Sequence, residues 1–133
     1  MEPWRHKEKF PPEIHEYFYS RWDNRALWEL VVPSETLPIR ELKWHLHYPF
    51  WSTSPPESIF DLRPGSVLDN PNKYSGHWVR VEAADLQYPI LVGHFGQRLV
   101  ILDGHHRLLK SIKTGASSIA CKIVAPEHIR VAA

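Results

Sequence analysis

Residues 89–124 decide the fold, with the sequence PILVGHFGQRLVILDGHHRLLKSIKTGASSIACKIV. The segment opens with two apolar runs, at residues 89–92 and 98–102, on either side of a glycine-flanked segment at residues 93–97. Short apolar runs around such a segment predict the two strands of a β-hairpin.

A helix and a final strand follow the hairpin. Apolar residues recur at helical spacing within residues 105–114, and Gly115 directly after them is typical of the position that ends a helix. Residues 118–124 alternate between apolar and polar side chains and predict a strand that stops before Pro126. The order of hairpin, helix and strand predicts an α/β (α+β) fold, with a small mixed sheet and flanking helices.

The upstream part of the chain is rich in proline, which favours short elements joined by stiff connections. Residues 49–73 predict a long irregular loop, with one turn of helix near residues 56–60, and a loop of this length is usually functional. From periodicity and proline positions we expect a helix over residues 13–22, a strand over 26–32, a short helix over 38–44 and a helix over 74–84.

The length of 133 residues is typical of one domain with one core. We expect this domain to span residues 26–126. An N-terminal helical extension over residues 1–25 precedes it, and a short tail over residues 127–133 follows it.

The charge balance argues against a general attraction to nucleic acids. Sixteen Lys and Arg residues stand against fifteen Asp and Glu residues, whereas a nucleic-acid groove usually needs a basic stripe. The single cysteine, Cys121, fits a reducing compartment and a buried position. No apolar run approaches the roughly 20 residues of a membrane span. We therefore expect a cytoplasmic protein with neither a membrane nor a nucleic acid as partner.

The sequence Asp103-Gly104-His105-His106-Arg107 lies between the predicted hairpin and the predicted helix. The first N–H groups of a helix have no partner within the helix, and with the helix dipole they form an anion site. Gly104 would let a phosphate approach the backbone, Arg107 offers a planar fork to its oxygens, and either histidine can donate a hydrogen bond or a proton. Asp103 has three open roles: it can cap the helix, orient a histidine or help to hold a metal ion bound to phosphates. The alternative is a solvated first turn with Asp103 only as its cap.

This part of the chain resembles the ParB/sulfiredoxin superfamily, in which a hairpin leads into a Gly-x-His-Arg type of box that binds nucleotide phosphates. The resemblance covers about residues 78–124 and extends loosely to residues 31–42. The resemblance rests on residues 88–92, residues 99–110 with the Asp-Gly-His-His-Arg box, Gly115 and the strand up to Val124.

Departures from the superfamily's patterns narrow the expected activity. His105 stands where sulfiredoxin has its catalytic cysteine, and Cys121 lies within a strand pattern, so sulfinic-acid reduction is not expected. Partition proteins follow this domain with a helix-turn-helix and an Asn-Gln-Arg box, and neither is found in this sequence. The box is most similar to that of the free-serine kinases.

The resemblance implies a nucleotide-binding enzyme, either a transferase such as an ATP/ADP-dependent small-molecule kinase or a nucleotide hydrolase. It implies ATP or another nucleotide with Mg²⁺ as cofactor, and a small-molecule acceptor. Free-serine kinases take an acidic base from the loop after the first strand, where Glu35 and Glu41 are the candidates and Glu41 is favoured because Arg40 lies beside it. The implied catalytic residues are Asp103, His106 and Glu41, and the implied nucleotide-binding residues are Gly104, His105, His106, Arg107 and Arg40.

Two alternatives stay open at this point. The chain can be a non-catalytic ParB-like interaction or regulatory module whose aromatic N-terminal third forms an interface with a homodimer partner or an operon partner. It can also be a nuclease that grips a backbone phosphate, against which the near-zero net charge argues.

Several aromatic and histidine residues have both a structural and a functional interpretation. His45 and His47 alternate as on a strand, but no third ligand is near, so a surface or partly buried pair is favoured and no protein metal site is predicted. Trp78 is expected in the core. Phe50 and Trp51 are the aromatic residues favoured for contact with a ligand, and His77 is a candidate for the entrance of the pocket.

Overall fold

Four strands form one mixed sheet in the computed structural model, which describes residues 6–13, 15, 24–55, 57–58 and 60–131. The order of the strands in the sheet is β1-β4-β2-β3, with β2 parallel to β4 and the other two pairs antiparallel. The protein is a single small mixed α/β domain, as the sequence predicts. The strands are β1 (Ser34–Pro38), β2 (Ile90–Phe95), β3 (Arg98–Asp103) and β4 (Ser118–Val124).

Helices cover both faces of this sheet. Short 3₁₀ turns at Ile39–Glu41 and Lys43–His47 follow β1, and another lies at Lys7–Lys9. The α-helices within the described residues are α1 (Asn24–Trp28), α2 (Pro64–Asp69), α3 (Ser75–Ala83), α4 (His105–Lys113) and α5 (Pro126–Val131).

The helix α4 is the element that ties the core together. Its Leu108 packs with Ile90, Val92 and Cys121 against one face of the sheet. Its next residue, Leu109, packs in a separate cluster whose other fully buried members come from α2 and α3, namely Val67 and Val81. Burial of each such leucine contributes about 1.5–3 kcal/mol, so the start of α4 is fixed from two sides.

The opposite face of the sheet is covered by the two ends of the described chain. Phe10 and Leu27 from the N-terminal side and Ile129 from α5 share one buried cluster with Phe95 of β2. Residues 127–131, predicted as part of a tail, therefore belong to a helix that packs on the sheet. The domain boundaries stay a prediction, and the expected helix over residues 13–22 lies largely outside the described residues.

The predicted hairpin is correct, but its turn is shorter than expected. The strand β2 continues to Phe95, and the turn consists of Gly96 and Gln97. Gly93 lies within this strand, and a Cβ there would come within 2.8 Å of the Phe95 ring and 3.0 Å of Ile129. The glycine in the strand therefore marks close packing rather than a turn.

The strand predicted over residues 26–32 is wrong. Residues up to Trp28 form α1, and the first strand begins only after Pro33. A short apolar run does not distinguish a strand from a buried helical turn, and here Leu27 is buried from a helix. The actual strand β1 was missed because Ser34, Glu35 and Thr36 are exposed at the sheet edge and show no apolar pattern.

Other predictions upstream hold in part. The helix expected over residues 74–84 is α3, and the helix expected over residues 38–44 is a pair of 3₁₀ turns on either side of the buried Leu42. The irregular stretch over residues 49–73 contains α2, and an isolated bridge pairs Trp51 with Leu62.

Candidate functional site

Gly104 forms the junction between β3 and α4. Its φ of 117° is in the region that favours glycine, and a Cβ there would lie 2.6 Å from Cγ2 of Ile90. The missing side chain therefore makes room for β2 in the core. This differs from the sequence-based interpretation, in which the glycine lets a phosphate approach.

The first N–H groups of α4 follow directly after Gly104. Leu108 N–H donates to the carbonyl of Gly104 over 3.1 Å, and no side chain caps the helix. Of the described residues, none accepts a hydrogen bond from the backbone N–H of His105, His106 or Arg107. These amides and the positive end of the helix dipole favour an anion.

Asp103 does not cap α4, so that sequence-based interpretation is wrong. Its Oδ2 instead accepts a hydrogen bond from Trp28 Nε1 over 3.0 Å. The indole of Trp28 thus fixes the carboxylate at the carboxyl end of β3. Because α1 carries Trp28, this contact joins the N-terminal part of the chain to the motif.

An open cleft of about 440 Å³ lies beside the start of α4. Its far wall is the end of α3, which Lys110 fastens to α4 by donating from Nζ to the carbonyls of Glu82 and Ala84, over 2.9 and 2.6 Å. The volume falls in the range of small-molecule sites. The lining residues are Arg80, Ala83, Ala84, Asp85, Tyr88, Asp103, Gly104, His106 and Arg107.

Arg107 is held at this cleft with most of its donors unused. One guanidinium nitrogen donates to the carbonyl of Pro89 over 3.3 Å. The guanidinium carbon lies 6.0 Å from the Trp28 ring centre and 5.9 Å from that of Tyr88. No carboxylate within the described part of the chain forms an ion pair with it. Arg107 and the exposed Arg80 therefore bring two positive charges to this cleft.

His106 and His77 lie edge to edge over the indole of Trp51. The two imidazole ring centres are 4.3 and 4.6 Å from the indole, with interplanar angles of 16° and 5°. Nε2 of His106 is 3.3 Å from Nδ1 of His77, whose Nε2 donates to the carbonyl of Ser52 over 3.1 Å. Burial lowers the pKa of His106 to about 4, with further lowering by His77 and Arg80. His106 is therefore neutral at pH 7.

The ring of His105 lies behind the cleft and not in it. It packs 4.9 Å from Phe50 and 5.5 Å from His45, between ring centres, and burial lowers its pKa well below 6.5. Its Nε2 is buried and has no hydrogen-bond partner among the described residues. The contribution of His105 to an anion site is thus its backbone N–H.

His45 has a structural task. It is fully buried, its Nδ1–H donates to the carbonyl of Leu42 over 2.7 Å, and its Nε2 accepts from the N–H of Ile101 over 2.9 Å. Both ring nitrogens are thereby used, and only Nε2 bonds to the edge strand β3, so no lone pair is left for a metal ion. Burial lowers the pKa of His45 to about 3. His47, its proposed companion, is exposed on a 3₁₀ turn.

Glu41, Arg40 and Glu35 are not brought to the cleft. Glu41 lines another depression, with Arg98 and Leu99 at the start of β3, which is about 13 Å along the strand from Asp103. Arg40 is exposed on the same turn and is not among the residues that line the cleft. Glu35 lies on β1, three strand positions from β3 and thus about 14 Å away.

Sequence reasoning missed the residues that other elements contribute. Arg80, Asp85 and Tyr88 come from the end of α3 and the segment after it, and Trp28 comes from α1. They have no spacing relation to the motif in the sequence. The sequence names Trp51 and His77 as candidates for ligand contact, but no pattern in it predicts that they contact His106.

Comparisons with protein-family models, curated proteins and solved structures found no match to this chain. None of the helices in the described ranges has the length and apolarity to cross a membrane. Within those ranges, no three His, Cys, Asp or Glu side chains form a group that could hold a metal ion by themselves. What the protein does is therefore inferred from the chemistry of the cleft.

Proposed function

We propose that the cleft at the start of α4 binds the phosphates of a nucleotide, and that the protein transfers a phosphoryl group to a small molecule or hydrolyses the nucleotide. The observation that carries this proposal is that the N–H groups of His105, His106 and Arg107 have no partner among the described residues, at a helix start beside a cleft that Arg107 and Arg80 line. The ParB/sulfiredoxin resemblance of the same residues supports it and stays a prediction.

Each cleft residue has a role in such a site. The three amides and the fork of Arg107 would bind the oxygens of one phosphate, since backbone donors at a helix start and a guanidinium both suit that geometry. Arg80 would add a second positive charge. These donors also stabilise the charge that spreads over the transferred phosphoryl group.

The carboxylates of the cleft fit an accompanying Mg²⁺. The ion is commonly held by one or two carboxylates together with substrate phosphates, and Asp103 and Asp85 both line this cleft. They would hold Mg²⁺, which would neutralise phosphate charge when bound. Glu41 has no part in this proposal because it lies elsewhere.

His106 is the proton acceptor that the cleft offers to a hydroxyl or to water. It is neutral at pH 7 because burial lowers its pKa to about 4, so its lone pair is available. A bound phosphate nearby would raise that pKa again, because negative charge favours the imidazolium. The base would thus become stronger when the nucleotide is in place.

The test is calorimetric titration of the protein with ATP, ADP and CTP, each with and without Mg²⁺. We expect binding by the wild type and a loss of about 10- to 150-fold in affinity for Arg107→Ala, because hydrogen bonds to charged groups contribute about 1.5–3 kcal/mol. The matched control is Arg40→Ala, which removes an exposed arginine outside the cleft and should leave the affinity unchanged.

Two results would contradict the proposal. One is the absence of heat with every nucleotide, and the other is an Arg107→Ala variant that binds like the wild type. Binding without any turnover, in the presence of candidate hydroxyl acceptors, would leave nucleotide binding and remove the enzymatic part. We also propose a reducing location such as the cytoplasm, because the single cysteine, Cys121, cannot form a disulfide within the chain.

A further inference from the structure

The hydrogen bonds of His77 define which of its nitrogens carries a proton. Its Nε2 faces the carbonyl of Ser52 at 3.1 Å, and a carbonyl can only accept, so Nε2 must be protonated. A neutral imidazole then has its lone pair at Nδ1. That lone pair faces Nε2 of His106 at 3.3 Å.

The same reasoning passes to His106. Since His77 Nδ1 accepts, His106 Nε2 must donate, and the lone pair of His106 is placed at Nδ1. The buried unpaired side-chain atoms of the described residues are His105 Nε2 and His128 Nδ1. Nδ1 of His106 is not one of them and has no hydrogen-bond partner among the described residues, so solvent reaches it. His106 also lines the cleft.

We infer that His77 is a positioning residue, which holds His106 with a free Nδ1 lone pair towards the cleft and takes over the proton that His106 accepts. When a hydroxyl of the acceptor gives its proton to His106 Nδ1, the proton on His106 Nε2 moves to His77 Nδ1. His106 is then neutral again, and His77 is an imidazolium that still donates from Nε2 to Ser52. The oxygen that lost the proton forms the new bond to phosphorus, while the bond to the leaving phosphate group breaks. This inference rests on the proposed function for its catalytic part only.

Trp51 fits this arrangement in two ways. Trp51 is 7% exposed and its backbone pairs with Leu62, so its position is fixed. It stacks on both imidazoles and keeps their edges facing each other. Its π-face also stabilises the positive charge that arrives on His77. The distance of 3.3 Å is long for a hydrogen bond, and such bonds in catalytic clusters often shorten when the ligand binds.

The first experiment observes the protons directly. Nitrogen-15 spectra of the histidine side chains at pH 7 should show His106 protonated at Nε2, His77 protonated at Nε2, and a scalar coupling between His106 Nε2 and His77 Nδ1 across the hydrogen bond. A proton on His106 Nδ1, a proton on His77 Nδ1, or no coupling between the two rings would overturn the inference. This readout requires neither a nucleotide nor activity.

Two substitutions of His77 separate its two proposed roles, which are to position the ring of His106 and to accept the Nε2 proton of His106. In His77→Asn the side-chain oxygen can occupy the place of Nδ1 and accept from His106, but it cannot bind a proton. In His77→Phe both abilities are lost. His47→Asn removes an exposed histidine elsewhere and serves as the control. Circular dichroism and denaturation show whether each variant folds, and Asn remains informative if Phe does not fold.

We expect His106 to stay protonated at Nε2 in His77→Asn, and to populate both of its neutral tautomers in His77→Phe. With the nucleotide and acceptor in place, kcat should fall at least about tenfold in both, most in Phe, with the KM for nucleotide within twofold of the wild type. Full kcat in His77→Phe would refute the positioning role. If the histidine spectra agree but no nucleotide binds, the proposed function fails and the proton assignment stands.

Discussion

Replacing Gly104 with alanine tests whether the start of α4 depends on this residue. The change adds two costs, because φ of 117° is unfavourable for an L-residue and the new Cβ would lie 2.6 and 2.9 Å from Cγ2 and Cβ of Ile90. A positive φ costs an L-residue such as alanine about 1–2 kcal/mol, and an overpacked core costs about 1–3 kcal/mol. We therefore expect Gly104→Ala to lower the free energy of unfolding by about 2–5 kcal/mol.

Two other glycines separate these costs in urea denaturation experiments. Gly115 has φ of 81° but nothing within 4 Å of a Cβ, so Gly115→Ala should show the backbone cost of about 1–2 kcal/mol alone. Gly76 lies in α3 with neither problem, so Gly76→Ala should be neutral or stabilising by up to about 1 kcal/mol. Equal losses for Gly104→Ala and Gly115→Ala would refute the role assigned to Ile90.

Two further predictions concern Trp28 and His45. Trp28→Phe keeps an apolar ring but removes the donor to Asp103, so it should lower the free energy of unfolding by about 1.5 kcal/mol and weaken Mg²⁺-dependent nucleotide binding. The control is Trp44→Phe, which loses a hydrogen bond to the carbonyl of Leu99 outside the cleft and should leave nucleotide binding unchanged in the same titration. The free energy of unfolding should fall on acidification between pH 6.5 and 3, because the unfolded chain protonates His45 near its usual pKa of 6.5 whereas the folded chain does so only near 3. Between pH 6.5 and 5 this loss is about 2 kcal/mol, and urea titrations of His45→Gln, which can still accept from Ile101 but cannot titrate, should show a weaker dependence; a slope equal to that of the wild type would contradict the assignment.

The sequence predicts those elements of the fold whose own residues show a clear local pattern. The strand β3, the helix α4 and the strand β4 combine an apolar pattern with a glycine or proline at the end, and all three are confirmed. The first strand, β1, shows no such pattern, because its exposed residues face solvent at a sheet edge and it pairs with β4 alone. The formation of β1 is decided by its pairing with a strand that is distant in the sequence, and no local pattern reveals that pairing.

The site divides in the same way. The motif from Gly104 to Arg107 is contiguous, and the chemistry of a helix start is readable from it. Glu41 was assigned through the loose part of the resemblance, and the true position of β1 places it beside the start of β3. Arg80, Tyr88 and Asp85 reach the cleft because Lys110 and Leu109 fasten α3 to α4, which is a property of packing.

The two neighbouring histidines of the motif show why composition alone overstates a site. Successive residues of an α-helix point about 100° apart, so His105 and His106 cannot both face one cleft from the first turn. The ring of His105 fills space beside Phe50 and His45, while the ring of His106 meets Trp51 and His77 and lines the cleft. The proposed chemistry at this helix start therefore depends on one imidazole and three backbone amides, and the second imidazole packs behind them as part of the core.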